Sequence, residues 1–441
     1  MAKRLILGES GGPTPVIDWE VAGALAAAQE TGWQVYGMIN GLEGLLNASI
    51  EGNIVDLTGI DPMSFAFNGP GAGLRTTRIK PSEEQYRKMA ENLRALGVDA
   101  VIYFGGNDSA DQILGLTREA DVLAVHGIKT IDNDLPVTHH CPGFGSAALF
   151  NATALKNVHS DFSSYRVKAN FKKGDRIVQG WDVAPVAIYQ VMGRKAGWLA
   201  QSTGFAKVDP KGDIVPDQPP HVILSREIPF SKQAFLDALD DVLTRLGAAV
   251  VVVQEDLTDA ETGQSLAKIH SQDVVTDAHG NIQHGRATSF SPAIFLAQVI
   301  NSELKVEAVP GEVKDVALVP QHIQRSCMMS PADASEAYMV GWSCVGALQD
   351  GATAKSVILK RAGGLTRTDL TEMKNIAAKE RTVPPDFIRG QLGPSQEFVD
   401  EFIYLIGGPA AIPHYSRMKL SPVPVPAALA ASPYVAGAAK A

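Results

Sequence analysis

At 441 residues the chain exceeds what one small core organises, so two or three domains are expected. Its 45% hydrophobic and 20% charged residues are ordinary for a soluble globular protein, and a net charge of −9 argues against a nucleic-acid surface while leaving room for local cationic phosphate sites. No apolar run reaches the roughly eighteen residues that cross a bilayer, and residues 1–7 lack a signal-like apolar core, so a cytoplasmic address without a membrane partner is expected. In chain order, a strand at 4–7 runs into the loop GESGGPTP (8–15) and a helix near 17–30. A strand at 34–38 and a helix at 83–96 follow. An apolar strand at 100–104 then leads through GGNDS (105–109) into a helix near 109–119, and a strand at 122–127 leads into KTIDND (129–134). This alternation predicts a doubly wound parallel sheet.

After His140 the pattern restarts, with strands at 183–191, 221–224 and 248–254 and helices near 145–158, 231–245 and 289–304. A second α/β unit is expected. The polar stretch 256–286 is either a surface excursion or part of a site, and 421–441, rich in Pro and Ala, is expected to be a semi-extended tail. Cys141, Cys327 and Cys344 are few, odd in number and far apart, which supports neither a disulfide framework nor a zinc site.

Three strand-end loops carry the chemistry. In open α/β sheets ligands gather outside the carboxyl ends of the strands. Gly105 and Gly106 allow close backbone approach, and a helix starting near Ser109 aims free N–H groups at an anion. Phosphoryl transfer to a hydroxyl needs a carboxylate to accept the proton, cations to neutralise developing charge, and backbone donors around the phosphates. KTIDND supplies the first two within six residues.

With SGGPTPVI (10–17), LRTTR (74–78), FGGNDS (104–109), KTIDND, VMGR (191–194) and HIQR (322–325) in this order, the chain resembles the phosphofructokinase family over roughly 3–350. Among its members the pyrophosphate-dependent ones are more similar than the ATP-dependent ones. The resemblance implies two Rossmann-like α/β domains with a C-terminal extension: 1–140 for pyrophosphate and Mg²⁺, with the chain returning to it after about 330; 141–330 for the sugar phosphate; 331–420 a helical return and extension; and 421–441 the tail. It implies Asp132 as general base, Thr130 and Asp132 against the sugar, and Asp134 with Asn107 at the Mg²⁺. Asp108 and Lys129 stand where ATP-dependent relatives usually carry Gly, so Asp108 would exclude a nucleotide while Lys129 stabilises the phosphate. Gly12, Gly105, Gly106, Ser109 and Arg78 would hold the donor, with Arg75 a rival to Arg78. Met192, Gly193, Arg194, Glu227, His322 and Arg325 would hold the acceptor.

Two departures from the family pattern stand out. Asn107 replaces a usual Asp and brings no charge to the metal. Val316 and Pro185 occupy positions where bacterial ATP-dependent relatives place phosphate-gripping arginines that cross a subunit interface, leaving Lys314, Arg286 or Lys195 as substitutes. The implied activity is reversible phosphorylation of fructose 6-phosphate by pyrophosphate, serving glycolysis and gluconeogenesis, in a homodimer or homotetramer. Its rivals are transfer to sedoheptulose 7-phosphate, use of ATP, and a non-catalytic sugar-phosphate-binding subunit. Beyond about Thr353 the sequence offers no transferable motif.

Overall fold

The computed structural model describes residues 3–67, 71–270, 290–325, 328–414 and 421–436. Two sheets organise them. The first has seven strands: β1 (Arg4–Glu9), β2 (Gln34–Met38), β3 (Ile54–Asp56), β4 (Ala100–Gly105), β5 (Leu123–Ile128), β11 (Lys355–Ala362) and β12 (Leu365–Glu372), in the spatial order β12-β11-β5-β4-β1-β2-β3. The second is built from β6 (Val167–Lys173), β7 (Arg176–Val191), β8 (Val222–Leu224), β9 (Ala249–Gln254), β10 (Glu312–Leu318) and β13 (Val435–Ala436), in the order β13-β6-β7-β9-β8 with β10 beside β7.

The continuous apolar runs RLILGE and AVIYFG become central strands because helices cover both faces, and every residue of β4 is buried. β1, β2, β4, β5 and β11 pair in parallel, while β3 and β12 run antiparallel at the two edges. The chain leaves β1 toward β2 and returns on the other side of β1 as β4. That reversal opens a crevice at the carboxyl ends of β1 and β4, where Ser10 N donates to Phe104 O at 2.9 Å. Local signals place the supporting helices. Ser82 and Gln85 form a reciprocal capping box that starts Glu83–Leu96, and Gly97 (φ 64°) ends it.

The expected elements are present with shifted ends. The helix expected near Ser109 starts at Asn107, and the strand expected at 183–191 extends back to Arg176 as a ribbon with β6. The span 331–420 begins as a helical return but continues as strands rather than as a helical extension. After the helix Pro331–Gln349, the hairpin β11–β12 adds two strands to the first sheet, because Val357 to Leu359 bury against its core. The chain then leaves again, and Phe398, Phe402 and Leu405 join the second core around Phe144 and Trp198. The tail is not wholly extended: Ala427–Ala431 is a short helix, and Val435–Ala436 pairs with β6. The polar stretch at 271–289, with Arg286, and Cys327 lie outside the described residues. Cys141 and Cys344 are buried free thiols. No described helix is long and apolar enough to cross a membrane.

Two glycines set how the return packs. A Cβ at Gly23 would overlap the backbone at Tyr338, and one at Gly341 would overlap the backbone at Glu20. The helices Ile17–Glu30 and Pro331–Gln349 therefore cross with their backbones in contact.

Candidate active site

The carboxyl ends of β1, β4 and β5 meet those of β7 and β9 at one polar cleft. From the first sheet it is lined by Gly12, Arg78, Gly106, Asn107, Asp108, Ser109, Lys129, Thr130, Asp132 and Asp134. From the second come Met192, Arg194 and Arg325. Thirteen residues singled out in the sequence thus converge.

Lys129 follows β5, and its backbone N–H donates to Gly105 O at 2.8 Å. Its buried ammonium donates to Ser10 O (2.8 Å) and Gly12 O (2.7 Å) across β4, fixing the first glycine-rich loop. Burial lowers its pKa to about 8; Arg325 and Arg78 push the same way, and Glu20 and Glu9 oppose them. Gly11 (φ 80°) turns this loop in a conformation that glycine adopts freely. At Gly12 an added Cβ would lie 3.0 Å from Arg325 Cζ, so the HIQR arginine rests on the donor loop. Asp132 N donates to Thr130 Oγ1 at 3.1 Å, and Asn133 completes the turn at φ 52°.

The cleft carries Lys129, Arg78, Arg194, Lys195 and Arg325 against an equal number of carboxylates, Asp108, Asp132, Asp134, Glu255 and Glu380. Asp134 is pushed up to about 8, first by burial and then by Asp132 and Glu380. Glu255 rises to about 7, again by burial and then by Asp132. Crowded carboxylates of this kind are what a divalent cation relieves. Among the described residues no three His, Cys, Asp or Glu side chains form a metal cluster. An ion here would draw on one or two carboxylates together with phosphate and water, which suits Mg²⁺.

Four of the singled-out residues do not line the cleft. Gly105 ends β4, and its carbonyl is engaged by Lys129 N and lies 2.9 Å from His126 Nε2, so it supports the site from behind. Gly193 turns the chain at φ 111° and donates its N–H to Glu255 Oε1 at 3.1 Å. Glu227 accepts from Gly197 N (2.7 Å) and Val383 N (3.1 Å) through Oε1, while its buried Oε2 has no hydrogen-bond partner. His322 is exposed beyond the cleft. Of the rival arginines, Arg78 lines the cleft and Arg75 is exposed outside it. Among the substitutes for the missing arginines, Lys195 lines the cleft, whereas Lys314 sits 5.6 Å over the Tyr165 ring.

Residues 4–171 and 179–348 match the phosphofructokinase family. The chain belongs to that family. It is 30% identical over 397 residues to the pyrophosphate–fructose 6-phosphate 1-phosphotransferase of Rhodospirillum rubrum, covering 87% of this chain and 89% of that protein. The Xanthomonas campestris protein of the same name is 31% identical over 403 residues, covering 88% and 87%. The crystal structure of the pyrophosphate-dependent phosphofructokinase from Nitrosospira multiformis matches with a TM-score of 0.72 at 26% identity, over 92% of each chain.

The phosphofructokinase motifs did not point to Glu255, Glu380 or Glu20. Glu255 had a signal, because it directly follows the buried strand β9. Glu20 lies on Ile17–Glu30, fully buried with neither carboxylate oxygen hydrogen-bonded, and it acts on Lys129. Glu380 belongs to the C-terminal extension.

Proposed function

We propose that the chain transfers a phosphoryl group reversibly from pyrophosphate to O1 of fructose 6-phosphate, giving fructose 1,6-bisphosphate and phosphate, in glycolysis and gluconeogenesis. The carrying observation is the pairing of Asp108 and a buried, backbone-anchored Lys129 in one cleft. A carboxylate about 4 Å from a nucleotide's α-phosphate costs about 4 kcal/mol at an effective dielectric near 20. Pyrophosphate has no such group to place there. The names of the Rhodospirillum and Xanthomonas relatives support the same donor and acceptor.

In this mechanism Asp132 takes the proton from the sugar O1 hydroxyl, which attacks the terminal phosphorus in line. Lys129 and Arg78 neutralise the phosphate oxygens, and the Gly12 and Gly106 backbone with the start of Asn107–Leu116 lines the donor pocket. Met192, Arg194 and Arg325 hold the acceptor, with His322 at the rim and Glu227 bracing the acceptor side from behind the cleft. Asp134, with the neutral oxygen of Asn107, would hold Mg²⁺, which screens the phosphate charge when bound. The exposed Tyr165, Val167 and Ile177 on and beside the β6–β7 ribbon support self-association as a homodimer or homotetramer. The two buried free thiols accord with a cytoplasmic setting.

Assay of the purified protein with pyrophosphate or ATP against fructose 6-phosphate and sedoheptulose 7-phosphate tests this reading. Turnover is expected with pyrophosphate and fructose 6-phosphate. Preference for ATP, for the seven-carbon sugar, or no turnover at all would each overturn it.

A further inference from the structure

Residues 378–383 lie across the mouth of the cleft and touch both of its sides. On the donor side Ala378 N donates to Asn107 O at 3.4 Å, and Asn107 Nδ2 donates to Lys379 O at 3.3 Å and to Glu380 Oε1 at 3.0 Å. The same Oε1 pairs with the Lys195 ammonium, next to Arg194 on the acceptor side. Arg381 turns the other way. Its N–H donates to Asp134 O at 2.7 Å, and its guanidinium reaches Asn133 Oδ1 (3.2 Å), Thr138 O (2.6 Å) and His139 O (2.7 Å) while lying 4.5 Å over Trp198. Val383 N then holds Glu227.

We propose that Glu380 is a positioning residue for phosphoryl transfer, a single carboxylate oxygen that ties the donor helix to the acceptor loop across the cleft. Asn107 opens the helix Asn107–Leu116, whose first turn lines the cleft, and Lys195 follows the MGR turn on the cleft's opposite side. One acceptor atom shared by both fixes their separation before any substrate arrives. In-line transfer is sensitive to that separation, since a displacement of about 1 Å can cost about a hundredfold in rate. The bridge contributes little to holding the fold together: the Lys195 and Glu380 side chains are 43% and 27% exposed, and ion pairs so close to solvent add little stability. Rate and stability therefore separate, which a scaffold role would not produce. The role rests on the phosphotransferase reading above.

The test is a double-mutant cycle of Glu380→Ala and Lys195→Ala, with Glu380→Gln as the conservative variant, run in steady-state kinetics and thermal melting. Glu380→Ala is expected to lower kcat about 10- to 100-fold, with KM for fructose 6-phosphate within about threefold and the melting temperature nearly unchanged. Glu380→Gln, whose amide oxygen still accepts from Asn107, should recover part of the loss. On the Lys195→Ala background the Glu380→Ala loss should shrink several-fold. Fully additive losses, or a Glu380→Ala kcat within twofold of wild type, overturn the bridge. The cycle is read with whichever donor and sugar phosphate the wild type turns over, so a wrong substrate assignment fails in the wild type and not in the cycle.

Discussion

Lys129 and His322 are both proposed to handle phosphate, yet the fold treats them in opposite ways. Lys129 is 2% exposed, its ammonium aimed by two carbonyl oxygens, whereas His322 is exposed beyond the cleft. On the proposed donor side Lys129 is desolvated and oriented by the protein in advance, while Arg78 stays exposed at the cleft. The acceptor side offers buried backbone at Met192 and Gly193 and leaves its outer side chain to solvent. A small, densely charged donor gains most from fixed charges in a dry site, while a larger sugar phosphate can be gripped at several weaker points. Perturbation should therefore cost more on the donor and transfer side than at the acceptor rim.

The largest effect is expected at the centre. Asp132→Asn keeps the shape and removes proton acceptance, so kcat should fall about 10²- to 10⁴-fold with the melting temperature unchanged; near-normal turnover in the folded variant would sink the base assignment. Next is donor choice. Asp108→Gly removes about 4 kcal/mol of repulsion, worth up to about a thousandfold in ATP binding, and it should weaken the pyrophosphate reaction. An unchanged donor ratio in competition kinetics would show that Asp108 does not police the nucleotide.

A smaller, graded effect concerns Lys129. Burial disfavours its charged form, so the ammonium is held below about pH 8 and lost above it. If the charged form is required, kcat/KM should fall roughly tenfold per pH unit above that point. A profile flat from pH 7 to 9.5 would show that the cation is not needed. The smallest effect belongs to the rim: His322→Ala should raise KM for fructose 6-phosphate by about threefold or less and leave kcat unaltered. A tenfold or larger rise would mean that the histidine reaches the substrate, erasing the asymmetry.

What the sequence disclosed follows from where each residue's partners lie along the chain. β1, β4 and β5 announce themselves because strands buried on both faces are apolar throughout, and Lys129 to Asp134 are neighbours in sequence as well as in space. β12 has no such pattern. LTRTDLTE is an antiparallel edge strand with most residues partly or fully exposed, so neither face demands an apolar stripe. Glu380 and Arg381 read as surface charges in a polar run before Pro384. Their partners lie 183 to 273 residues away, and no local period encodes that meeting. The Asp108–Lys129 pairing was legible as a motif, but the anchoring of Lys129 on Ser10 and Gly12 carbonyls was not.

The close crossing of the helices around Gly23 and Gly341 bears on how the polypeptide is made. Part of the first core is supplied by residues translated late: Val340, Cys344 and Leu348 cover strands that were synthesised more than two hundred residues earlier. Until they emerge, the nascent amino-terminal segment presents an open β5 edge and an uncovered apolar face, the condition that favours misassembly. The intervening second unit carries its own strands and must leave both ends of the chain near that gap. Closing it demands contacts between distant parts of the sequence, which slows folding relative to local pairing. Because glycine at both crossing points lets the two backbones touch, the late helix can seat only in a narrow register. Completion of the donor crevice is thereby coupled to completion of the chain.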